Sequence, residues 1–509
     1  MSATLAPLVP ARDDKVAPAR PATSPFLISL TVMLGMIMAI VDGTIVNVGL
    51  NTIAGTLGAS LDDAAWIVTG YLLASVITMP LNGWLTAKFG RKRFYAGCVA
   101  IFTIASLLCG TATSVWQLTF YRILQGFGGG ALQPTAQAII FETFPPGKRG
   151  MATAIFGIGA MVGPALGPLM GGYIIDNFTW PLLFLVNIPI GIAAFIMTIA
   201  FIPDPSYLAK PKGGIDWLGL ALLSCGIGAM QYVFERGQHD DWFDSSTIVI
   251  LSVVSVVATT WFLIKTLRDA HPLVDLRSFR FPTFVFGNLL MVVLGFGLYG
   301  TSLIMPLFFQ TSMGMTAFDT GMALLPGALA TAASMVFVGR LMTIVDPRIL
   351  TATGLVLSAL SCWLLGDLNQ YAGVGDIFWP RIIQGFGMGL LFVPVTTVML
   401  APLPKNELAS ATGVSMLVRQ LGASVGIAVL TTLLASETTI AWMALAGGVT
   451  RSHGASIGQI NGLLVQSATV IAYDYLFRIC AFVFLAALPF VAFMKPARAV
   501  SAPATATEM

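Results

Sequence analysis

From Pro25 onward, long apolar stretches alternate with short connections that hold most of the charge. A helix needs about 20 mostly apolar residues to cross a bilayer core about 30 Å thick. Fourteen stretches qualify: 26–50, 63–86, 93–113, 115–141, 149–175, 180–202, 215–235, 245–266, 283–309, 318–342, 348–367, 374–401, 407–436 and 475–494. Hydrocarbon offers the backbone no hydrogen-bond partners, so segments of this length must be helical. The pattern therefore predicts an all-α polytopic membrane protein with fourteen transmembrane helices.

The connections test that count. With the N-terminus placed in the cytoplasm, 20 of the 26 Lys and Arg residues fall on the cytoplasmic side and only Arg236 and Arg451 outside. Arg122, Arg381, Arg419 and Arg478 fall inside spans. One helix more or fewer would invert every later connection and destroy the bias that orients membrane proteins. An even number of spans is expected, with both termini cytoplasmic.

The expected organisation has five parts. Residues 1–25 form a disordered cytoplasmic tail, 26–202 a six-helix half, and 203–282 two additional spans with their linkers. Residues 283–494 form a second six-helix half with a long outer loop, 437–474, and 495–509 form a cytoplasmic tail.

Composition narrows the function. Hydrophobic residues make up 56% of the 509 and charged residues 10%, where soluble domains carry about 25% charged. Mean hydropathy is +0.86. The basic residues form no domain that could bind nucleic acid. The five cysteines lie in apolar runs and the three histidines far apart, so neither metal nor cofactor is expected. No catalytic cluster and no nucleotide-binding motif occurs, which argues against an enzyme and against ATP as the direct fuel.

Charge inside the spans is the informative exception. Asp42 lies about 16 residues into the first span, where an ionised group costs about 2.5–3.5 kcal/mol. Arg122 in the fourth span is its candidate partner, each lowering the cost of burying the other. Burial favours the neutral form of a carboxylate and a nearby guanidinium the charged form. A contact that loosens and tightens would therefore load and release a proton. The phrase containing Arg122, "RILQGFGGG", returns at an offset of 259 as "RIIQGFGMG", which places Arg381 over Arg122 and Gln384 over Gln125. The same offset places Gly422 and Gly426 over Gly163 and Gly167. An internal repeat in a many-span chain points to a transporter built from two related halves. Asp42 maps onto Thr301, and the ninth span contains no acidic residue, so proton chemistry is expected in the first half only.

Several motifs occur in order. They are "VDGTIVNVGL" at 41–50, "GWLTAKFGRKR" at 83–93, R-x-x-Q-G-x-G at 122–128, "GAMVGPALGPLMGG" at 159–172, "FLVNIPIG" at 184–191 and "GIDWLGL" at 214–220. Together they resemble the fourteen-span drug:proton antiporter branch of the major facilitator superfamily, of the EmrB/QacA type and nearer its EmrB-like permease subunits. "VIAYDYLFRI", 470–479, supports that placement.

The resemblance implies a major facilitator fold, with two six-helix halves and two extra central spans. It implies a proton-coupled efflux antiporter for hydrophobic or amphipathic compounds, working with a periplasmic adaptor and an outer-membrane channel. The outer loop is one place for an adaptor to dock. A proton-coupled symporter that imports a small solute is the alternative reading; a sensor or enzyme would need a soluble domain or a catalytic cluster.

Asp42 and Arg122 are the expected proton-coupling pair, and Asn47, Gln125, Gln133 and Gln137 the candidate cavity contacts. Gly159, Gly163, Gly167 and Gly171, with Pro164, are expected at a bending interface between the halves. Gly83, Gly90, Arg91 and Lys92 are expected to gate, although Ala87 replaces the acid usual in that loop. Arg419 is expected to bond backbone or polar groups, and Arg478 has Asp474 one turn away as a candidate partner.

Overall fold

A computed structural model of the chain describes residues 24–494, except 206–215, 270–271, 370–371 and 448–456. The tail assigned to residues 1–25 lies outside the described residues up to position 23, and the tail 495–509 lies wholly outside them.

Among the described residues, fourteen long helices carry the chain back and forth. In the first half these are α1 (Pro25–Leu57), α2 (Leu61–Phe89), α3 (Arg91–Gly110), α4 (Val115–Thr143), α5 (Arg149–Asn177) and α6 (Leu182–Phe201). The extra pair is α7 (Trp217–Arg236) and α8 (Ser246–Arg268). The second half comprises α9 (Pro282–Thr311), α10 (Ala317–Leu341), α11 (Pro347–Leu365), α12 (Val374–Leu400), α13 (Leu408–Gly447) and α14 (Ile457–Ala486). Thirteen are apolar enough to cross a membrane by composition. The exception is α4, whose arginine and four glutamines dilute its hydropathy; the core closes around it instead, on α1, α2, α3, α5 and α13.

Local chemistry sets the helix starts. Ser60 Oγ accepts from the Asp63 amide at 3.1 Å, Ser114 Oγ from the Gln117 amide at 3.3 Å, and Asp216 Oδ1 from the Gly219 amide at 2.9 Å. Each satisfies one of the donors a helix start leaves over. Pro80 introduces a 3₁₀ turn, Met79–Leu81, near the end of α2.

The stretch expected as an outer loop, 437–474, differs. Helix α13 continues to Gly447 and α14 already begins at Ile457; only 448–456 lies outside the described residues. Polar residues such as Glu437, Thr438, Gln466 and Ser467 lower hydropathy there without breaking a helix. At 1.5 Å per residue, the 40 residues of α13 make a rod about 60 Å long. A bilayer with its headgroups is about 40–45 Å thick, so the two helices project as a hairpin. Trp442 Nε1 donates to Asn461 Oδ1 at 3.1 Å across it.

The two halves repeat their packing. Helix α1 lies on α5, α2 on α4, α3 on α4 and α6; eight helices later α9 lies on α13, α10 on α12, α11 on α12 and α14. The halves meet along two related seams, α5 on α10 and α2 on α13. The seams are closed at the end carrying the Lys/Arg-rich connections. There Asn82 Nδ2 donates to Ala409 O at 2.9 Å, Arg149 Nη1 to Ala401 O at 3.3 Å, and Thr397 Oγ1 to Thr153 Oγ1 at 2.9 Å. The extra pair covers the α2–α13 seam. Trp66 and Tyr232 place their rings 5.6 Å apart, Gln231 Nε2 donates to Ser424 Oγ at 2.8 Å, and Trp242 Nε1 to Thr432 Oγ1 at 2.9 Å.

Candidate functional site

Asp42 and Arg122 meet inside the first half, both 0% exposed. Arg122 Nη1 donates to Asp42 Oδ2 in an ion pair and to Gln125 Oε1 at 2.7 Å. Gln125 Nε2 donates at 2.9 Å to Asp42 Oδ1, which also accepts from Asn187 Nδ2 at 2.7 Å. Arg122 Nε donates to the Ile67 carbonyl at 3.2 Å, while Nη2 is buried without a hydrogen-bond partner. The guanidinium carbon lies 4.2 Å from the centre of the Tyr71 ring and 5.7 Å from that of Phe184. Asn187 is braced in turn by Ser106, whose hydroxyl lies 3.1 Å from Nδ2 and donates to the Phe184 carbonyl at 2.8 Å. One carboxylate is thus held by three side-chain donors from α4 and α6. Burying two charges is tolerated only with this kind of saturation.

The glycines beside Arg122 make the cluster possible. A Cβ on Gly126 would strike the Tyr71 carbonyl, one on Gly128 the backbone of Cys98 and Phe102, and one on Gly130 the backbone of Ser75. Small residues let α4 sink between α2 and α3, which brings the guanidinium within reach of Asp42 and the Tyr71 ring.

The second half keeps the frame and lacks the charge. Arg381 Nη1 donates to Gln384 Oε1, and Gln384 Nε2 donates at 3.1 Å to Thr301 Oγ1, the position matching Asp42. Arg381 also reaches the Leu324 carbonyl at 3.3 Å and Met305 Sδ at 3.1 Å, while its Nε is buried without a partner. Among the described residues it forms no ion pair.

The other expected positions divide. Gln125 belongs to the Asp42 cluster. Gln133 accepts from Arg419 Nη2 at 3.1 Å, across the seam between α4 and α13. Gln137 is buried one turn further on, with Oε1 unpartnered. Asn47 is exposed on α1 and joins none of these contacts; five residues beyond Asp42 on a helix is about 140° around the axis. Arg478 pairs with Asp367 at 3.4 Å, leaving Asp474 Oδ1 buried and unpartnered.

The expected gating residues also divide. Added methyl groups on Gly159, Gly163, Gly167 and Gly171 would meet Met36, Ile40, Thr44 and Ile45 of α1. The glycine face therefore lies on the helix that carries Asp42, within one half. Pro164 and Pro168 face the other way, lining a small cleft with Gly321 and Leu325 of α10. Gly83 abuts Ser410 of α13, at the seam between the halves. Gly90 takes φ +83°, and beside it the Lys92 amide donates to Asp204 Oδ1 at 2.8 Å. Arg91 Nη2 pairs with Glu142 at 2.7 Å. Glu142 and Asp204 supply negative charge around a loop that lacks an acid at Ala87.

Asn187, Tyr71 and Ser106 are the participants that sequence reasoning missed. Asn187 stands inside "FLVNIPIG", and an asparagine within an apolar span was the available signal.

Three comparisons bear on this architecture. A family model described as Major Facilitator Superfamily matches residues 32–427. The multidrug export protein EmrB of Escherichia coli (strain K12) is 33% identical over 488 residues, covering 92% of this chain and 95% of that one. The fatty acid resistance protein FarB of Neisseria gonorrhoeae is 31% identical over 487 residues, covering 92% and 96%. Among solved structures, the proton:xylose symporter XylE bound to 6-bromo-6-deoxy-D-glucose superposes with a TM-score of 0.61 at 14% identity, over 93% of this chain and 96% of that one. That last likeness is one of fold alone.

Proposed function

The chain belongs to the major facilitator superfamily, among its EmrB-like permeases, and from that premise we propose that it is a proton-coupled antiporter exporting hydrophobic or amphipathic compounds. The observation that carries the proposal is the sealed Asp42–Arg122 cluster. A titratable carboxylate is held at membrane depth by donors from two other helices, so changes in those helices change its protonation.

The cycle follows from the contacts. When α4 or α6 shifts and Arg122 withdraws, Asp42 is left as a buried anion and takes a proton. When the cluster reassembles, the guanidinium recovers its counter-ion and the proton leaves. The glycine face of α5 lies on α1 beside Asp42, so rocking at the α5–α10 seam is felt at the cluster. Proton exchange and substrate exchange thereby share moving parts. The Lys/Arg-rich end faces the cytoplasm in this reading, and the membrane is the cell inner membrane.

The projecting α13–α14 hairpin supports the reading that a periplasmic adaptor, and through it an outer-membrane channel, completes the export path. It displays Ile440, Met443 and Leu463. Capture of an adaptor that survives deletion of 445–468 would rule out that docking site.

The deciding experiment is flux of a neutral dye into inverted vesicles under an imposed pH gradient. Accumulation driven by an acidic interior is the expected result. No accumulation, with a preloaded solute carried out of the vesicles alongside the proton instead, would establish the symporter reading.

A further inference from the structure

Of the four arginines placed inside spans, two have no carboxylate partner among the described residues, and their settings differ. Arg381 lies inside the second half and spends its donors on Gln384, Leu324 and Met305. Arg419 lies on the seam between the halves. It is 5% exposed and stands about 16 Å along α13 from Leu408, close to mid-depth. Among the described residues its one hydrogen bond runs from Nη2 to Gln133 Oε1 on α4. A guanidinium carries five N–H donors, and among the described residues no carboxylate pairs with this one, whereas buried Arg91 and Arg122 pair with Glu142 and Asp42.

The apolar wall beside Arg419 is shared by both halves. Phe392 of α12 lies 6.0 Å from the Arg419 guanidinium carbon and stacks on Phe156 of α5 with centroids 6.2 Å apart. Water can satisfy spare donors, but it cannot supply a negative charge, and a cation at this depth is costly without one.

We propose that Arg419 recognises the anionic head of an amphipathic substrate, a carboxylate, while Phe156 and Phe392 receive its apolar body. The Arg419–Gln133 bond crosses the seam, so it breaks when the halves part and leaves the guanidinium for the ligand. The carboxylate then takes the place of the glutamine. For transport, the proposal deepens the export reading and rests on it; for binding, it rests on the seam alone.

The test uses the purified full chain in nanodiscs, titrated with 2-naphthoate and with its neutral counterpart 2-naphthamide. Wild type is expected to prefer naphthoate by about tenfold, the size of one charge-assisted hydrogen bond. Arg419→Gln should abolish the preference while leaving naphthamide affinity within about twofold. Arg419→Lys should keep part of it, and Gln133→Leu, which frees the guanidinium, should raise naphthoate affinity. Gel filtration and melting temperature show whether each variant is folded; should Arg419→Gln misfold, the lysine and leucine variants decide. Equal affinities in wild type, no saturable naphthoate binding, or an Arg419→Gln protein that retains the preference would each overturn the proposal. Naphthoate preference without dye export would sink the export reading and leave the anion site standing. Dye export without the preference would do the reverse.

Discussion

At the scale of single residues, function and stability are expected to separate at Asp42. Asp42→Asn keeps the volume and one acceptor for Arg122, so the protein should fold. Export in inverted vesicles should lose its response to an imposed pH gradient, and an unchanged pH response would refute the proton-coupling role. Arg122→Ala is expected to be far more damaging. It leaves Asp42 buried without its counter-ion, as an anion or forced to take up a proton, a loss of up to about 3–5 kcal/mol for a broken buried pair, read as a large fall in melting temperature. Asn187→Ala removes one of two donors to Asp42 Oδ1 and should cost about 1–3 kcal/mol. Charges stand out in an apolar run, which is why Asp42 and Arg122 could be found by eye. Asn187 could not be placed, because an asparagine in a span is only mildly unusual and its partner lies 145 residues away. Asn47 stands five residues on from Asp42, which a helix turns onto a different, exposed face.

Among the elements, α5 is the one whose two faces matter separately. Gly163 meets Ile40 and Gly167 meets Thr44 on α1, while no atom lies within 4 Å of where a Cβ on Gly172 would point. Gly163→Leu should therefore push α5 off α1 and abolish export with the protein still inserted, whereas Gly172→Ala should export at the wild-type rate. Equal export by both variants would show that the glycine contact has no part in transport. The fourteen spans and their order were legible because apolar length marks them. Helix α4, expected at 115–141, was among them although it falls below the apolar average, since burial by other helices replaces lipid contact. The ends of α13 and α14 were misread because loss of hydropathy was taken as loss of helix, and outside hydrocarbon the two are independent.

For the molecule as a whole, the repeat offset aligns a contact that the structure contains in both halves. Gln384 reaches Thr301 as Gln125 reaches Asp42, so the halves share a frame and differ in one charge. Their mutual packing could not be read from the chain, since seams join helices far apart in sequence. The closed end gives a prediction of its own. A side chain on Gly83 would overlap the backbone of Ser410, so Gly83→Val should bias the carrier toward opening at the Lys/Arg-rich end. In a cysteine-free background, Thr153→Cys, buried at that seam, should then label faster with a maleimide; an unchanged rate would mean that Gly83 does not hold the seam shut. The extra pair α7 and α8 has a consequence of another kind. It lies over one seam and leaves its counterpart, α5 on α10, without a second layer from that pair. Rotational kinship between the halves therefore does not extend to their surroundings. A greasy molecule diffusing in the leaflet would meet a double wall on one flank and a single one on the other.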